Sequence, residues 1–186
     1  MKICSSQYNF QYGNQIHYPY SIGTILAYAN KHRADLDLAE AFVFRDKLQE
    51  NIEQASSADW LLCSCYVWNW EITMILAREA KFRNPSLRVV LGGPQVPDNT
   101  QGFFELYPFV DVLVHGEGEK ALLEVLQKEL YPGVETRYTN LPSQRLSNLD
   151  ELPSPYLSGV IDRLTQSSKH SWWVASWETN RGCPYS

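Results

Sequence analysis

Short apolar runs alternate along the first 130 residues with segments whose apolar positions recur every three or four residues. The runs Lys2–Ser6, Leu38–Phe44, Asp59–Cys65, Leu87–Leu91 and Val110–Val114 predict five strands. The stretches 59–65 and 87–91 are nearly continuous in apolar residues, as strands buried on both faces are. Between the strands lie helical patterns. Tyr20–His32 carries Ile22, Ile25, Leu26 and Ala29; Asp46–Ala55 carries Leu48 and Ile52; Trp70–Phe82 carries Ile72, Ile75 and Leu76 and is stopped by Asn84-Pro85. A short helix is expected within Thr100–Tyr107. Glu119–Leu130 follows, with Leu122, Leu123, Val125 and Leu126 on one side. Strand and helix in strict alternation predict an α/β domain over residues 1–130. It is a Rossmann-like or flavodoxin-like, five-stranded parallel sheet with helices on both faces. Tyr131-Pro132-Gly133 breaks the pattern, and three prolines fall between Asn140 and Ser158. Residues 131–170 therefore read as a linker with short extended pieces. One more strand, Trp172–Trp177, opens a final segment 171–186.

Composition narrows the function classes. The 186 residues are 44% hydrophobic and 20% charged, enough to bury a core. With 16 basic and 21 acidic residues the net charge is −5. That balance disfavours a nucleic-acid-binding surface or a polybasic membrane anchor. No apolar run approaches the roughly 18 residues of a membrane-spanning helix, and the N-terminus lacks a signal-peptide pattern. Four cysteines are too few for a disulfide scaffold. A reduced, cytoplasmic protein is expected.

Ligands of open parallel sheets bind outside the carboxyl ends of the strands, so the residues that follow each strand are the candidates. They are Gln7 to Gly13, then Ser64 to Asn69, Gly92-Gly93-Pro94-Gln95, and Val114-His115-Gly116-Glu117-Gly118-Glu119. These loops are rich in glycine and aromatic residues and poor in positive charge. There is no P-loop and no G-x-G-x-x-G after the first strand. A large, flat, mostly neutral ligand fits them better than a phosphate-dominated one. Gly92 and Gly93 would let a bulky group approach the backbone, and Tyr66 and Trp68 would offer aromatic surface. Each piece also has a plain structural reading. Gly-Gly-Pro makes turns, acidic residues suit helix starts, and a histidine at a strand end is commonly a hydrogen-bonded anchor. Cys63 and Cys65 read as inert buried thiols, and no metal-type spacing involves His17 or His32.

Taken in order, the motifs resemble the N-terminal cobalamin-binding domain of cobalamin-dependent radical SAM enzymes. They are Ser64-x-x-x-x-Asn69, Leu91-Gly92-Gly93-Pro94-Gln95 and Val114-His115-Gly116-Glu117-Gly118-Glu119. Pro19-Tyr20-Ser21-Ile22-Gly23-Thr24-Ile25-Leu26 is similar to the family's first helix start. Asp150-Glu151-Leu152-Pro153-Ser154-Pro155-Tyr156 is similar to its linker. Glu178-Thr179-Asn180-Arg181-Gly182-Cys183-Pro184-Tyr185-Ser186 resembles the run into the radical SAM C-x-x-x-C-x-x-C motif. The resemblance implies a front part of a longer enzyme, broken off inside that motif and catalytically incomplete without the barrel. Cobalamin would be held by Ser64, Tyr66, Val67, Trp68, Asn69, Gly92, Gly93, Pro94, Gln95, Val114, His115, Gly116, Glu117 and Gly118. Cys183 would be one ligand of a [4Fe–4S] cluster that binds S-adenosylmethionine in the full-length protein. Methyl transfer through methylcobalamin is the implied activity.

One departure from related cobalamin proteins matters. The D-x-H-x-x-G motif that supplies a lower cobalt ligand in mutases and methionine synthase is absent. His17, the nearest histidine, is followed by Pro19 and Tyr20 and not by the expected glycine. No histidine on cobalt is therefore expected. The alternatives are a flavodoxin-like scaffold or interaction domain, or a relative that no longer binds cobalamin. Clustered acids of a receiver domain are missing at Ser5-Ser6-Gln7, as is a flavodoxin phosphate loop.

Overall fold

The computed structural model describes residues 1–10, 13–127, 133–136, 139–140, 145–166 and 172–181, with 139–140 described by backbone alone. Five strands form the predicted parallel sheet: β1 (Lys2–Ser6), β3 (Asp37–Phe42), β4 (Trp60–Ser64), β5 (Arg88–Gly92) and β6 (Val112–Val114). The sheet does not stop at five. β7 (Val134–Thr136) adds antiparallel to β6, and β8 (Thr139–Asn140) adds antiparallel to β7, so the order is β3-β1-β4-β5-β6-β7-β8 and the sheet has seven strands. The extra hairpin lies where prolines and polar residues read as a linker. Three-residue and two-residue edge strands give too short an alternation to register in the sequence.

Alternation along each strand builds two cores. Ile3, Leu38, Leu62, Val90 and Val112 face α1 (Tyr20–His32), α5 (Gly118–Gln127) and α6 (Val160–Leu164). Cys4, Leu61, Cys63, Val89, Leu91 and Leu113 face the opposite way. There they meet α2 (Leu48–Ser56), α3 (Trp70–Arg83) and α4 (Phe103–Leu106). Helices on both faces explain why β4 and β5 carry apolar residues on both alternating sets, Trp60–Cys63 and Val89–Leu91. The predicted end of the last long helix at Leu130 lies outside the described residues. α6 was not anticipated. It is only five residues long, yet Val160, Ile161 and Leu164 are all buried.

A brace fixes the amino edge of the sheet. Asp111 accepts the Val89 backbone N–H at 2.7 Å and the Lys81 ammonium at 2.9 Å. Lys81 stands in the last turn of α3, where a cation also suits the helix dipole. The predicted final strand forms as β9 (Trp173–Val174). It pairs with β2 (Ile16–His17), apart from the main sheet. Among the described residues no helix is long and apolar enough to cross a membrane.

Candidate functional site

The strand order reverses direction between β1 and β4: β1 continues to β3 on one side, and the chain returns to place β4 on the other. Loops diverge at such a point and leave a crevice at the carboxyl edge. A cavity of about 1570 Å³ opens there. It exceeds the roughly 300–1000 Å³ of ordinary small-molecule sites. Its floor is the α1-facing side of the sheet: Leu62 and Ser64 of β4, Val90 and Gly92 of β5, and Val114 of β6. Register sets Leu62 beside Val90, and Ser64, Gly92 and Val114 in a row. Ser21, Ile22, Thr24 and Ile25 of α1 form a wall. The loops after β1 and β4, the start of α5 and residues 176–181 ring the mouth.

The sequence-predicted residues divide into two groups. Ser64, Tyr66, Val67, Trp68, Gly92, Gly93, Val114, Gly116, Glu117 and Gly118 line the cavity. Asn69, Pro94, Gln95 and His115 do not. Asn69 is 1% exposed and holds its own loop: Oδ1 accepts Tyr66 N–H at 2.8 Å, and Nδ2 donates to the carbonyls of Ser64 at 3.0 Å and Tyr8 at 3.3 Å. Gln95 faces a smaller hollow of about 450 Å³ that shares Val67 and Trp68 with the main cavity. His115 turns to the added hairpin. Its Nε2 lies 3.0 Å from Glu135 Oε2, and its N–H donates to Gly133 O at 2.7 Å. Glu135 also accepts the Thr100 hydroxyl at 2.6 Å. Cys183 lies outside the described residues. Among those described, no group of three or more His, Cys, Asp or Glu side chains could hold a metal.

The two adjacent glycines differ in what they require. A Cβ on Gly92 would meet only Val114, at 3.7 Å, so the strand tolerates one and the open side is the cavity. Gly93 has φ +99°, and a Cβ there would lie 2.7 Å from Cys65 O and 3.0 Å from Cys65 N. The backbone of the neighbouring loop, independent of any ligand, demands glycine at 93. Gly118 lets α5 approach α1, since a Cβ would stand 2.9 Å from Ile25 Cδ1.

The B12 binding domain family matches residues 12–126, more than half of the chain and the stretch that builds the cavity from α1 to α5. The chain belongs to the B12-binding domain family. Two curated relatives agree with that assignment. The 2-(S-pantetheinyl)-carbapenam-3-carboxylate methyltransferase of Streptantibioticus cattleyicolor is 41% identical over 186 aligned residues, covering 90% of this chain. The cobalamin-dependent radical SAM methyltransferase TokK of Streptomyces tokunonensis is 39% identical over 189, also covering 90%. The chain spans 27% of the length of each.

The B12-domain cavity suits its family's cofactor in size and in chemistry. Cobalamin is large, and its corrin carries neutral amides that need donors and acceptors more than charge. Ser21, Thr24 and Ser64 supply hydroxyls, while Tyr20, Tyr66, Trp68 and Trp177 supply aromatic surface. Tyr66 stacks on Trp68 at 4.5 Å, and its hydroxyl lies 2.6 Å from Ser21 Oγ, which joins the β4 loop to α1 across the cavity. Arg45 secures the same loop from outside by donating to the carbonyls of Asn9, at 3.1 Å, and Trp68. Charge is confined to one corner. Glu117 accepts Leu146 N–H at 2.6 Å, and Arg181 pairs with Glu119 at 2.5 Å and Glu178 at 3.0 Å. Burial alone would lower the Arg181 pKa; the hydrogen bonds and charges of these carboxylates outweigh it and raise it. Arg145 also lines the cavity, with no carboxylate partner among the described residues.

Sequence reasoning pointed to the loop after β1, of which Gln7–Phe10 line the cavity, but missed the α1 wall and residues 176–181. A signal for the wall did exist. Ser21 and Thr24 are small polar residues, three apart, beside the apolar positions Ile22 and Ile25. Nothing in the local sequence of 176–181 tells that it returns to the mouth.

Proposed function

We propose that this chain binds cobalamin in the cavity at the carboxyl edge of its sheet, and that it is the cofactor-binding part of a radical SAM methyltransferase. The observation that carries the reading is an oversized, weakly charged cavity at the switch point of a B12-binding domain. Bound cobalamin would supply a transferable methyl group on cobalt. The chain's own part is to bind, orient and shield. Gly92 leaves room beside the floor, Ser21 and Thr24 offer hydrogen bonds from α1, and Tyr66 and Trp68 give the rim a rigid aromatic surface. Arg145 is suited to the one phosphate of the cofactor's nucleotide tail. On this reading a [4Fe–4S] cluster and S-adenosylmethionine are bound by further sequence of the same polypeptide, with Cys183 as one cluster ligand.

The reading includes a cobalt without histidine. The loop after β1 offers Gln7, Tyr8, Asn9 and Phe10, while His17 stands on β2 at the rim. Titration of the purified chain with hydroxocobalamin, followed by the visible spectrum, tests the main proposal. Saturable binding at micromolar concentration or tighter is expected. No binding would leave a scaffold of the same fold. Paramagnetic resonance of the reduced complex tests the ligation, and imidazole nitrogen splitting lost in His17→Ala would overturn that part.

A further inference from the structure

Residues 176–181 cross the mouth of the cavity without regular secondary structure. They are tied at both ends. At the first end the Tyr156 hydroxyl donates to Ser176 O at 2.9 Å and accepts Ser176 N–H at 3.1 Å. At the other end Arg181 reaches Glu119 in the first turn of α5, at 2.5 Å, with Glu117 at 4.0 Å. Between the ties, residues 177–180 are exposed, and Trp177 is 88% exposed. Burial of its own side chains therefore does not seat this strap; polar ties do, those at its two ends and a hydrogen bond between Tyr20 and the Glu178 backbone.

The ties are unequal in character. Tyr156 belongs to a packed aromatic group, 6.1 Å from Tyr20 and 5.9 Å from Tyr18, and Tyr18 stacks on Trp173 of β9 at 4.7 Å. That end stays in place whatever happens at the mouth. Among the described residues the far end is held by one guanidinium, that of Arg181. Glu119 is 2% exposed, so its carboxylate cannot turn to water when Arg181 leaves. A buried pair of this kind is weakly screened by salt and geometrically well fixed.

We propose that Arg181 is a positioning residue, a latch that holds the strap across the mouth and sets how long a corrinoid stays bound. The proposal rests on the cobalamin reading for its ligand, but the latch itself is testable without cofactor.

Arg181→Met alone would leave Glu119 buried and unpaired, and could simply unfold the chain. The informative variant is Arg181→Met with Glu119→Gln, which removes the latch and the stranded charge together; Arg181→Lys keeps a cation. Hydrogen exchange of the cofactor-free chain should show faster exchange of residues 177–181 in the double variant, with its thermal midpoint close to wild type. Dissociation of hydroxocobalamin, followed by recovery of tryptophan fluorescence after dilution, should be at least about tenfold faster, with Arg181→Lys in between. Unchanged strap exchange overturns the latch. Faster exchange with unchanged dissociation overturns its role in retention. A wild-type chain that binds no cobalamin overturns the cofactor reading and the retention claim with it, while exchange still decides the latch.

Discussion

Adding one methyl group at Gly92 and one at Gly93 should separate fold from binding. At Gly93 the new Cβ lies 2.7 Å from Cys65 O and 3.0 Å from Cys65 N. Neither atom can step aside, because Cys65 N–H donates to Gly92 O at 2.7 Å and Cys65 O accepts Gln95 N–H at 3.1 Å. Left-handed backbone costs an alanine about 1–2 kcal/mol. The backbone clash adds about 1–3 kcal/mol by analogy with overpacking. Gly93→Ala should therefore lose about 2–5 kcal/mol, a fall in Tm of roughly 10 °C at 2–4 °C per kcal/mol. At Gly92 the nearest contact is 3.7 Å, ordinary van der Waals distance. Gly92→Ala should leave Tm within about 2 °C, since alanine also gives up less chain entropy than glycine. Gly92→Leu should stay folded and lose hydroxocobalamin binding, because its side chain fills the floor of the cavity. The assays are thermal unfolding by circular dichroism and hydroxocobalamin titration. Gly92→Leu binding as well as wild type would refute the placement of the cofactor. A Gly93→Ala as stable as wild type would refute the steric argument.

Three further outcomes are expected. Arg145→Ala should weaken hydroxocobalamin by roughly fivefold, about 1 kcal/mol for an exposed charge contact. It should leave cobinamide, which lacks the nucleotide and its phosphate, unaffected; equal losses for both corrinoids would remove Arg145 from phosphate recognition. Asn69→Ala breaks three hydrogen bonds and strands Tyr66 N–H. It should cost about 2–4 kcal/mol, read as a lower urea midpoint, and a neutral result would deny that this side chain holds the loop. Burial pushes the Cys4 thiol up to about 11 and the Cys63 thiol up to about 12, and Cys65 rises as well, from an ordinary 9.0. The folded chain then holds protons that the unfolded chain releases. Stability from this source is intact below about pH 9 and falls as pH rises through 11 and 12. Urea midpoints that stay level from pH 8 to 11 would contradict it.

The parallel sheet was legible because burial on both faces makes β4 and β5 apolar runs, and three of the four helices between the strands, with α5 after the last, are long enough to show a period. Their edges moved by a residue or two; Asp59 and Cys65, for example, fall outside β4. The loops at the site were legible because a parallel sheet collects its strand ends on one edge. What each loop residue does was less so. Gly92 and Gly93 look alike in sequence, yet one is open and the other is packed on backbone. His115 and Glu117 are two residues apart, but His115 meets Glu135 while Glu117 lines the cavity, because the chain turns at Gly116 with φ +70°. That turn sits between a strand and a hairpin the sequence did not announce. Gly23, part of the motif at the first helix, serves packing: a Cβ there would lie 2.7 Å from Ile161 Cδ1 of α6. Its partner is almost 140 positions away, beyond the reach of any local pattern.

The pairing of β2 with β9 has a consequence for the order in which the molecule assembles. Ile16 bonds to Trp172 and Tyr18 to Val174, so this small ladder closes a loop containing nearly the whole domain. Contacts of such long sequence separation form late. On the ribosome the floor and the α1 wall are complete once α5 has emerged, while β9 and the residues after it arrive about 50 residues later, several seconds at ordinary rates of synthesis. During that interval the nascent chain carries an open crevice rimmed by Phe10, Val67 and Trp68, all exposed. On the cobalamin reading, a corrinoid present early would enter from the side that is later covered, and one arriving late would have to pass the finished rim. Loading during translation and loading of the purified protein are thus different kinetic problems for the same site.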